Sequence, residues 1–464
     1  MSKPKEYSWM TKDKLMTYTF FSVLILTIVT AALWSAEKTP SGWNLGVTLA
    51  INAFISVGIA VGLDAFLHKV TVDSPLDLMS AAVFGLIVTD CYVLGVPSMT
   101  TPGFELFPLE APQCFVFVAG MSAIGLIVFK KLVGQSGRKY VNPAAASKLV
   151  VMIPFINALL LAIDHMKSGL LKVPSLAGPV GLTTVVNGNG GGKGYPGFGS
   201  YMWSCFSNAN IKNLPIANMN NLLQQMLFDK FHGWPGGAST IAVLIVGIGF
   251  FIVARRYVKW RITISYFVAV AVLSVIFSAA YGDSGGSGYL VRFLFLMFIG
   301  SSVFLAFFMA TDPATTPLTY MGQIIFGVGT AILTVLMITY IQFFGASFVA
   351  LVIMNLTVPA LDRVGKRKPT TESKEPKLPR SQLFAPEKVK EYQCMRCGAC
   401  MRVCCHGLSP ILIKQAFDKM NFDAMIKLNA DYCTGCGHCS FVCPARIDLK
   451  GAVLRSKAML RQQQ

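Results

Sequence analysis

Long apolar runs alternate with polar or charged segments along this chain and stop near residue 362. An α-helix rises about 1.5 Å per residue, so roughly 20 apolar residues cross a hydrocarbon layer of about 30 Å. Runs of this length recur ten times, which predicts an all-α polytopic membrane protein with about ten transmembrane helices. The predicted spans lie near residues 17–35, 46–66, 77–95, 113–132, 145–164, 238–256, 262–281, 288–311, 321–342 and 345–362.

The first apolar run, from Met16 to Trp34, follows a basic leader and has two interpretations. One is a secretory signal, because Ser35-Ala36 resembles a cleavage site. The run is longer than the apolar core of about 7–15 residues that signal peptides have. Its length therefore favours a first membrane helix.

The composition supports a membrane protein. Of the 464 residues, 54% are hydrophobic and 13% are charged, whereas soluble proteins carry about 25% charged residues. The formal net charge is +18, but basic residues in a membrane protein mark loops and tails rather than a nucleic-acid surface. We therefore expect lipid around the chain and no nucleic-acid partner.

Lysine and arginine are distributed unequally between the two sides of the predicted spans. If the N-terminus is cytoplasmic, the inner segments before the tail hold 14 Lys and Arg residues and the outer loops hold six. Five of those six lie in one long, glycine-rich loop over about 165–237, where the positive-inside rule counts least. An even number of spans returns the chain to its starting side. We expect a multi-pass inner-membrane protein with both termini in the cytoplasm.

Two cysteine runs occupy the polar tail, and each reads C-x2-C-x2-C-x3-C. Three thiolates at that spacing reach three corners of one iron–sulfur cube, and in two-cluster ferredoxins the fourth cysteine of a run ligates the other cluster. The spacing therefore predicts two [4Fe–4S] clusters. The first cluster takes Cys394, Cys397, Cys400 and Cys443, and the second takes Cys433, Cys436, Cys439 and Cys404.

Zinc and disulfides are the alternatives for these cysteines. Zinc sites usually use two C-x2-C pairs, not two triplets each followed by a fourth cysteine. Disulfides need an oxidising compartment, which a cytoplasmic tail does not provide. Gly398, Gly435 and Gly437 suit the tight turns in which amides approach a cluster. Cys405 stands where the second run has Pro444, and we interpret it as a bystander.

The composition changes after Asp362 to a charged, proline-bearing segment. We divide the chain into a membrane domain over 1–362, a basic flexible linker over 363–392 and a small bacterial-ferredoxin-like domain over 393–464. From Arg363 onward the chain has 19 Lys and Arg residues and eight Asp and Glu residues. This excess suits either a membrane-proximal stop or a surface that docks an acidic partner.

Five stretches of the membrane domain carry a family resemblance. They are SPLDLMSAAVFGLIV (74–88), KYVNPAAASKLV (139–150), RYVKWRI (256–262), FFMATDPATTPLTYMGQIIFGVGTAIL (307–333) and FVALVIMNLTVPALDR (348–363). They resemble the D subunit of Rnf complexes and the B subunit of Na+-translocating NADH:quinone reductases. The tail, with CMRCGACMRVCCHGLSP and CTGCGHCSFVCPARIDL, is similar to the ferredoxin-like end of the Rnf C subunit. The chain thus resembles a fusion of a D-type membrane flavoprotein with a C-type two-cluster module.

The resemblance implies a flavin. The family attaches FMN through a phosphodiester to the threonine of an S-G-A-T-like motif in the outer loop. The nearest match here is AGPVGLTTV (177–185), with Thr183 at the attachment position and Thr184 beside it. The other motif residues differ, so FMN held without a covalent bond is the alternative, and riboflavin is a further candidate. Ser239 and Thr240, at the start of the sixth helix, suit either a flavin phosphate or a simple helix cap.

Ionisable residues inside the predicted spans include Asp64, Asp90 and Arg292. A charge inside a membrane is costly, so each is a functional hypothesis. Asp64 and Arg292 lie close enough to span ends to snorkel or cap, which leaves Asp90 as the candidate for an ion pathway. His406 and His438 flank the cysteine runs, and because cysteines fill all eight ligand positions we expect these histidines to tune or shield the clusters.

Together these features predict a subunit of an Rnf-like, membrane-bound redox complex. Its cytoplasmic clusters exchange electrons with ferredoxin or a cytoplasmic oxidoreductase and with a flavin in the membrane part, beside other Rnf-like subunits. The resemblance implies coupling to Na+ or proton translocation by an ion-translocating oxidoreductase. One alternative is a non-pumping, quinone-linked electron-entry subunit. The other is a transporter or membrane anchor that carries a cluster docking module.

Overall fold

The computed structural model describes most of the predicted spans and the whole cysteine-rich tail. The described residues are 10–36, 44–70, 76–92, 114–133, 139–152, 227–228, 234–280, 293–294, 296–298, 302–338, 346–365 and 391–463. Thr183, Thr184, Arg292 and the linker residues 366–390 lie outside the described residues. The expectations for them therefore rest on sequence alone.

Helices make up the regular structure of the described residues. In the membrane domain they follow the order of the apolar runs. They are α1 (Lys12–Leu33), α2 (Leu45–Val70), α3 (Leu78–Asp90), α4 (Cys114–Leu132), α5 (Pro143–Met152), α6 (Thr240–Val253), α7 (Trp260–Ala280), α8 (Ser302–Phe304, continued by a π-helical turn over Leu305–Met309), α9 (Tyr320–Leu336) and α10 (Ala346–Leu361).

Among the described residues, α1, α2, α4 and α7 are long and apolar enough to cross a membrane. The apolar helices α3, α6, α9 and α10 are shorter, with 13, 14, 17 and 16 residues. A helix of 13 residues is only about 20 Å long, less than the full hydrocarbon thickness. The helical membrane class predicted from hydropathy is confirmed, and the count of ten spans stays a prediction.

Local sequence explains where several helices begin. The carboxylate of Asp77 accepts a hydrogen bond from Ser80 N (3.3 Å) at the start of α3. The hydroxyl of Thr319 accepts one from Gly322 N (3.1 Å) at the start of α9. A side-chain oxygen at this position satisfies an amide that has no partner within its own helix. These caps fix the first turns of two helices that lie beside the tail.

Glycines allow neighbouring helices to pack backbone against backbone. A Cβ atom placed on Gly85 in α3 would lie 2.8 Å from Val57 Cα in α2. One placed on Gly327 in α9 would lie 2.5 Å from the carbonyl oxygen of Ile262 in α7. Small residues at helix crossings are typical of membrane proteins, where close packing drives association. The two crossings hold α3 against α2 and α9 against α7.

The tail folds into a small helical module over residues 391–463. Its helices are α11 (Ala399–Arg402), α12 (Pro410–Asp418), α13 (Phe422–Lys427), α14 (His438–Phe441) and α15 (Leu449–Gln463). A hydrophobic cluster joins α12, α13 and α15. Its buried members are Leu408, Ile413, Ala416, Met425, Ala430, Val453 and Leu460. The module thus has a core of its own, apart from that of the membrane domain.

The module packs directly on one end of the membrane domain. The amide of Lys12, at the start of α1, donates a hydrogen bond to the carbonyl of Pro444 (2.9 Å). Leu318 of the membrane domain is buried among module residues, and Met395 of the module is buried in the core of the membrane domain. We call this interface the docking face and define it by Lys12, Val258, Lys259, Leu318 and Asp362.

Candidate functional site

The eight cysteines of the two runs gather in two groups. Cys394, Cys397, Cys400 and Cys443 form the proximal group, named for its position at the docking face. Cys433, Cys436, Cys439 and Cys404 form the distal group. Each group contains the fourth cysteine of the other run, as the spacing predicts. Ligation of iron by either group stays a prediction.

Burial strongly affects the acidity of these thiols. It raises the pKa of Cys443 in the proximal group, and of Cys439 in the distal group, to about 12, and thiols of the same group raise both values further. A thiol with such a pKa keeps its proton at neutral pH unless a metal displaces it. Cys443 and Cys439 therefore favour the neutral thiol in the empty groups and become thiolates when they bind a metal.

The backbone around each group directs amide hydrogens at sulfur. Arg396 N donates to Cys394 Sγ, and at the corresponding position Gly435 N donates to Cys433 Sγ, both at 3.4 Å. The turns continue through Gly398 and Gly437, whose φ angles are 72° and 80°. Successive amides in such left-handed turns form concave anion sites. This donor set fits a sulfide-rich, anionic cluster.

Within the described residues, no three His, Cys, Asp or Glu side chains converge as the ligands of a single metal ion do. An iron–sulfur cube needs a wider arrangement, because its four thiolates each bind a different iron and surround the cube. Two separate groups of four cysteines, each with inward amides, match this need. We therefore interpret each group of four cysteines as a candidate cluster site.

The two groups differ in access to solvent. Cys397, Cys400 and Cys443 of the proximal group are 7–8% exposed, against the membrane domain. Cys436 of the distal group is exposed. A cavity lies beside the distal group. The module thus places one group at its free surface and the other at the docking face.

Two residues beside the distal group were singled out from sequence. His406 lines the cavity, with Nε2 3.0 Å from Thr434 Oγ1, which places it beside the cysteines of the distal group; its tuning or shielding role stays a prediction. Cys405 is exposed, and its thiol is in hydrogen-bonding contact with Cys436. Cys405 therefore contacts the distal group without belonging to either group, and its interpretation as a bystander stays a prediction.

A buried ion pair fastens the proximal group to the membrane domain. Arg396, between the first two cysteines, is 2% exposed, and its Nη2 lies 2.8 Å from Asp362 Oδ2. The other Asp362 oxygen accepts the amide of Leu318 (2.7 Å). Arg396 has a φ of 53°, where Gly435 stands in the second run. The chain therefore keeps an arginine at a glycine-like position, and its side chain reaches the last membrane helix.

Two further cations lie at the docking face. Lys259 Nζ is buried and donates to the carbonyls of Pro313 (2.9 Å) and Thr316 (2.8 Å). Burial, followed by the nearby Arg396 charge, lowers the pKa of Lys259 to about 7. Arg402 donates to the carbonyls of Cys397 (3.1 Å) and Val258 (3.3 Å). These bonds tie the proximal cysteine loop to the segment that precedes α7.

A pocket lies in the membrane domain beside the proximal group. Met395, which follows the first cysteine, forms part of its wall, so we call it the Met395 pocket. Aromatic rings form much of the rest. They belong to Phe84, Phe250, Tyr257, Phe307 and Phe308. The rings of Phe250 and Phe308 contact each other at a centroid distance of 6.1 Å.

Polar groups line one part of the Met395 pocket. They are Thr19, Ser80, Lys139, Asn142, Thr311 and Asp312. Lys139 Nζ lies 3.7 Å from Asp312 Oδ2, and Asn142 Oδ1 accepts the amide of Ala144 (3.1 Å) at the start of α5. Apolar pockets with a few fixed polar groups are typical sites for organic cofactors.

The other sequence candidates lie elsewhere. Ser239 Oγ accepts Ala242 N (3.4 Å) and so caps α6; it and Thr240 are buried, which matches the simple cap interpretation. For Asp64 the sequence predicts snorkelling or a cap; the residue is fully buried, which rules out snorkelling and leaves the capping role. Its carboxylate pairs with Lys131 (2.6 Å) and accepts Asp77 N (2.9 Å). Asp64 therefore joins α2, α3 and α4.

Residues 7–371 match the NQR2, RnfD, RnfE family. The match covers the membrane domain through α10 and includes the walls of the Met395 pocket other than Met395 itself. The chain belongs to this family. The match ends at residue 371, before both cysteine runs, so the module is an addition to the part of the chain that the family describes.

Three relatives illustrate the similarity. The D subunit of the proton-translocating ferredoxin:NAD+ oxidoreductase complex of Clostridium ljungdahlii is 25% identical over 72% of this chain and 89% of its own length. The D subunit of the Na+-translocating ferredoxin:NAD+ oxidoreductase complex of Acetobacterium woodii is 25% identical over 56% of this chain and 68% of its own. The D subunit of an ion-translocating oxidoreductase complex of Yersinia enterocolitica is 26% identical over 76% and 93%.

Sequence reasoning missed the residues that join the two parts of this family member. Met395 and Arg396 read as spacers between cysteines, and Lys259 reads as one of several basic loop residues. A signal for Arg396 was present, because the second run has Gly435 at the corresponding position. No comparable signal exists for the Met395 pocket, whose walls come from segments that are far apart in sequence.

Proposed function

We propose that the chain is a subunit of an Rnf-like, ion-translocating redox complex in the cytoplasmic membrane, with electrons passing between its module and a flavin in its membrane domain. One observation carries the proposal: Met395, one residue from the proximal cysteine Cys394, lines the pocket of the membrane domain. Electron transfer needs such closeness between donor and acceptor. The ion-translocating complexes that contain the family relatives supply the reaction class.

Two [4Fe–4S] clusters fit the module, one in the proximal group and one in the distal group, and each supplies one-electron transfer when bound. The fusion of a D-type membrane domain with a C-type module gives the chain two cluster sites. The distal site lies at the surface of the module, and the proximal site is buried at the docking face. Cys436 at the surface suits exchange with ferredoxin or a cytoplasmic oxidoreductase. Arg396 and Arg402 bind the proximal cysteine loop to the docking face. Their contacts fix the distance between the proximal cysteines and the Met395 pocket.

The Met395 pocket suits an isoalloxazine ring, of FMN or riboflavin. Phe307 and Phe308 offer flat apolar contact, while Asn142 and Lys139 offer fixed donors for ring oxygens or nitrogens. A flavin joins one-electron and two-electron carriers. Attachment of FMN at Thr183 is a separate proposal that rests on the resemblance, because that residue lies outside the described ranges.

Filling the Met395 pocket is expected to remove this flavin. Ser80 lines the pocket, and in Ser80→Trp the indole ring occupies the space of an isoalloxazine. We expect the loss of one flavin per chain with unchanged iron content, measured by absorbance after release from the purified complex. Phe54→Trp is the matched control, because Phe54 is 85% exposed on α2. Full flavin content in Ser80→Trp places the flavin elsewhere.

Coupled ion transport tests the function as a whole. In proteoliposomes that contain the intact complex, reduced ferredoxin should drive uptake of Na+ or protons, because the chain combines electron stations with a membrane domain of an ion-translocating family. Uptake is followed with radioactive sodium and with a pH-sensitive dye, and electron flow is followed by acceptor reduction. Electron flow without uptake of either ion favours the non-pumping, quinone-linked alternative.

A further inference from the structure

A carboxylate lies buried inside the membrane domain at the end of a short helix. Asp90 is the last residue of α3 and has no exposed surface. Its two oxygens contact the hydroxyl of Thr27 in α1, both at 3.0 Å. Among the described residues, no lysine, arginine or histidine nitrogen lies within 4 Å of it. The charge of Asp90 is therefore not balanced by an ion pair there.

The backbone around Asp90 is interrupted. Helix α3 ends at Asp90, and the turn Pro235–Gly237 lies against it before α6 begins at Thr240. A Cβ placed on Gly236 would be 2.8 Å from Asp90 Cβ. The carbonyl of Pro235 accepts a hydrogen bond from the hydroxyl of Thr30 (2.7 Å). Thr30 lies about one helical turn after Thr27 in α1. Broken helices whose carbonyl ends face inward are a recurring way to hold small cations in membranes.

A buried lysine, Lys148, lies at the end of α3, next to the residue that follows Asp90. Lys148 in α5 is 3% exposed, donates to the carbonyl of Cys91 (2.6 Å) and lies over the rings of Trp234 (4.6 Å) and Phe348 (4.7 Å). Its positive charge thus sits at the carbonyl end of α3 without pairing with Asp90. The ionisable groups of the described elements that pack here are Asp90 and Cys91 from α3 and its end, and Lys148 from α5.

We infer that Asp90 and Thr27 form an exchangeable site for a monovalent cation, a proton or Na+. An unpaired carboxylate inside a membrane must be neutralised, since burying its charge costs several kcal/mol. A proton meets this need: Asp90 then donates to Thr27 Oγ1, and Thr27 donates to the carbonyl of Val23, 3.1 Å away. Na+ meets it by binding the same carboxylate and hydroxyl oxygens.

This inference rests on the proposed ion-translocating function and names a site for the ion. Asp90 is the group that binds and releases the cation, and Thr27 is a positioning residue that orients the carboxylate. The region is distant in sequence from both cysteine runs and includes no residue that lines the Met395 pocket. Electron transfer and ion binding are therefore separable by substitution.

The experiment compares Asp90→Asn, Asp90→Glu and Thr27→Val in the intact complex, reconstituted in proteoliposomes. We expect Asp90→Asn to lose ion uptake while the donor still reduces the clusters and flavin. Asp90→Glu should show more uptake than Asp90→Asn, because a glutamate is again an exchangeable carboxylate. Thr27→Val should reduce uptake, whereas Thr263→Val, which removes another buried hydroxyl that donates to Ala306 O (2.6 Å), should not.

Infrared difference spectra give a readout that needs no turnover. A carboxyl band that responds to pH alone and is absent from Asp90→Asn identifies a proton site. A band that responds to Na+ at fixed pH identifies a sodium site. Wild-type uptake in Asp90→Asn, or an infrared band that survives in it, overturns the inference. If wild-type complex transfers electrons without transport, the proposed function fails, and an Asp90 band in that complex still shows a cation site.

Discussion

Arg396→Glu is expected to release the module from the docking face and to stop electron transfer into the membrane domain. The substitution places two buried carboxylates opposite each other, because Asp362 Oδ2 lies 2.8 Å from the present guanidinium. Removing one partner of a buried pair costs about 3–5 kcal/mol, and reversing its charge adds repulsion. The hydrogen bond from Leu318 N to Asp362 Oδ1 would also become weaker. Residues 394–402 and 312–319 should then exchange amide hydrogens faster.

Charge exchange distinguishes the pair from a general loss of stability. Either single change should reduce the protection of residues 394–402 and 312–319 from amide hydrogen exchange. The double variant Arg396→Glu with Asp362→Arg should recover part of that protection. Lys414→Glu is the matched control, since Lys414 pairs with Asp418 (2.6 Å) on the exposed surface of α12, where such a pair contributes only about 0.3–0.5 kcal/mol. Normal protection of residues 312–319 in Arg396→Glu contradicts the docking role of this ion pair.

Loss of either fourth cysteine is expected to remove a whole cluster. The wild-type chain should hold about eight irons, and Cys443→Ala or Cys404→Ala about four. Each substitution leaves one iron of a cluster without its cysteine ligand, and we expect the whole cluster to be lost. Iron and acid-labile sulfide in anaerobically purified protein measure this. Cys405→Ser serves as control and should keep about eight irons, because Cys405 belongs to neither group.

Double variants test the crossed assignment. Cys394 and Cys443 both belong to the proximal group, so replacing both should still leave about four irons. Cys394 and Cys404 belong to different groups, so replacing both should leave none. If each run instead ligated its own cluster, these two results would be reversed. The pair of measurements therefore separates the two ligand sets without a spectroscopic assignment.

The features that sequence predicted are those that depend on neighbours along the chain. The apolar runs predicted helices because hydropathy over about 20 residues decides membrane insertion. The spacing of the cysteine runs predicted two groups, and the structure brings those thiols together, although ligation itself stays untested. The sequence offers two interpretations of Ser239, a helix cap and a phosphate site, and in the structure its hydroxyl caps α6.

The features that escaped prediction depend on contacts between distant segments. Asp64 reads as a residue near a span end, but its partner Lys131 lies on another helix, so its burial was not visible in the sequence. The Met395 pocket draws walls from α1, α3, α6, α8 and the module. Arg396 appears as one basic residue among many until Asp362 is placed beside it.

The docking face has a consequence for biogenesis. Its parts come from the beginning of α1, at Lys12, and from the end of α10, at Asp362. The surface that receives the module therefore does not exist until the last helix has been inserted beside the first. Since the module follows α10 in the chain, its docking should report that α1 and α10 are correctly placed, and a chain with a misplaced helix would leave the module without its binding surface.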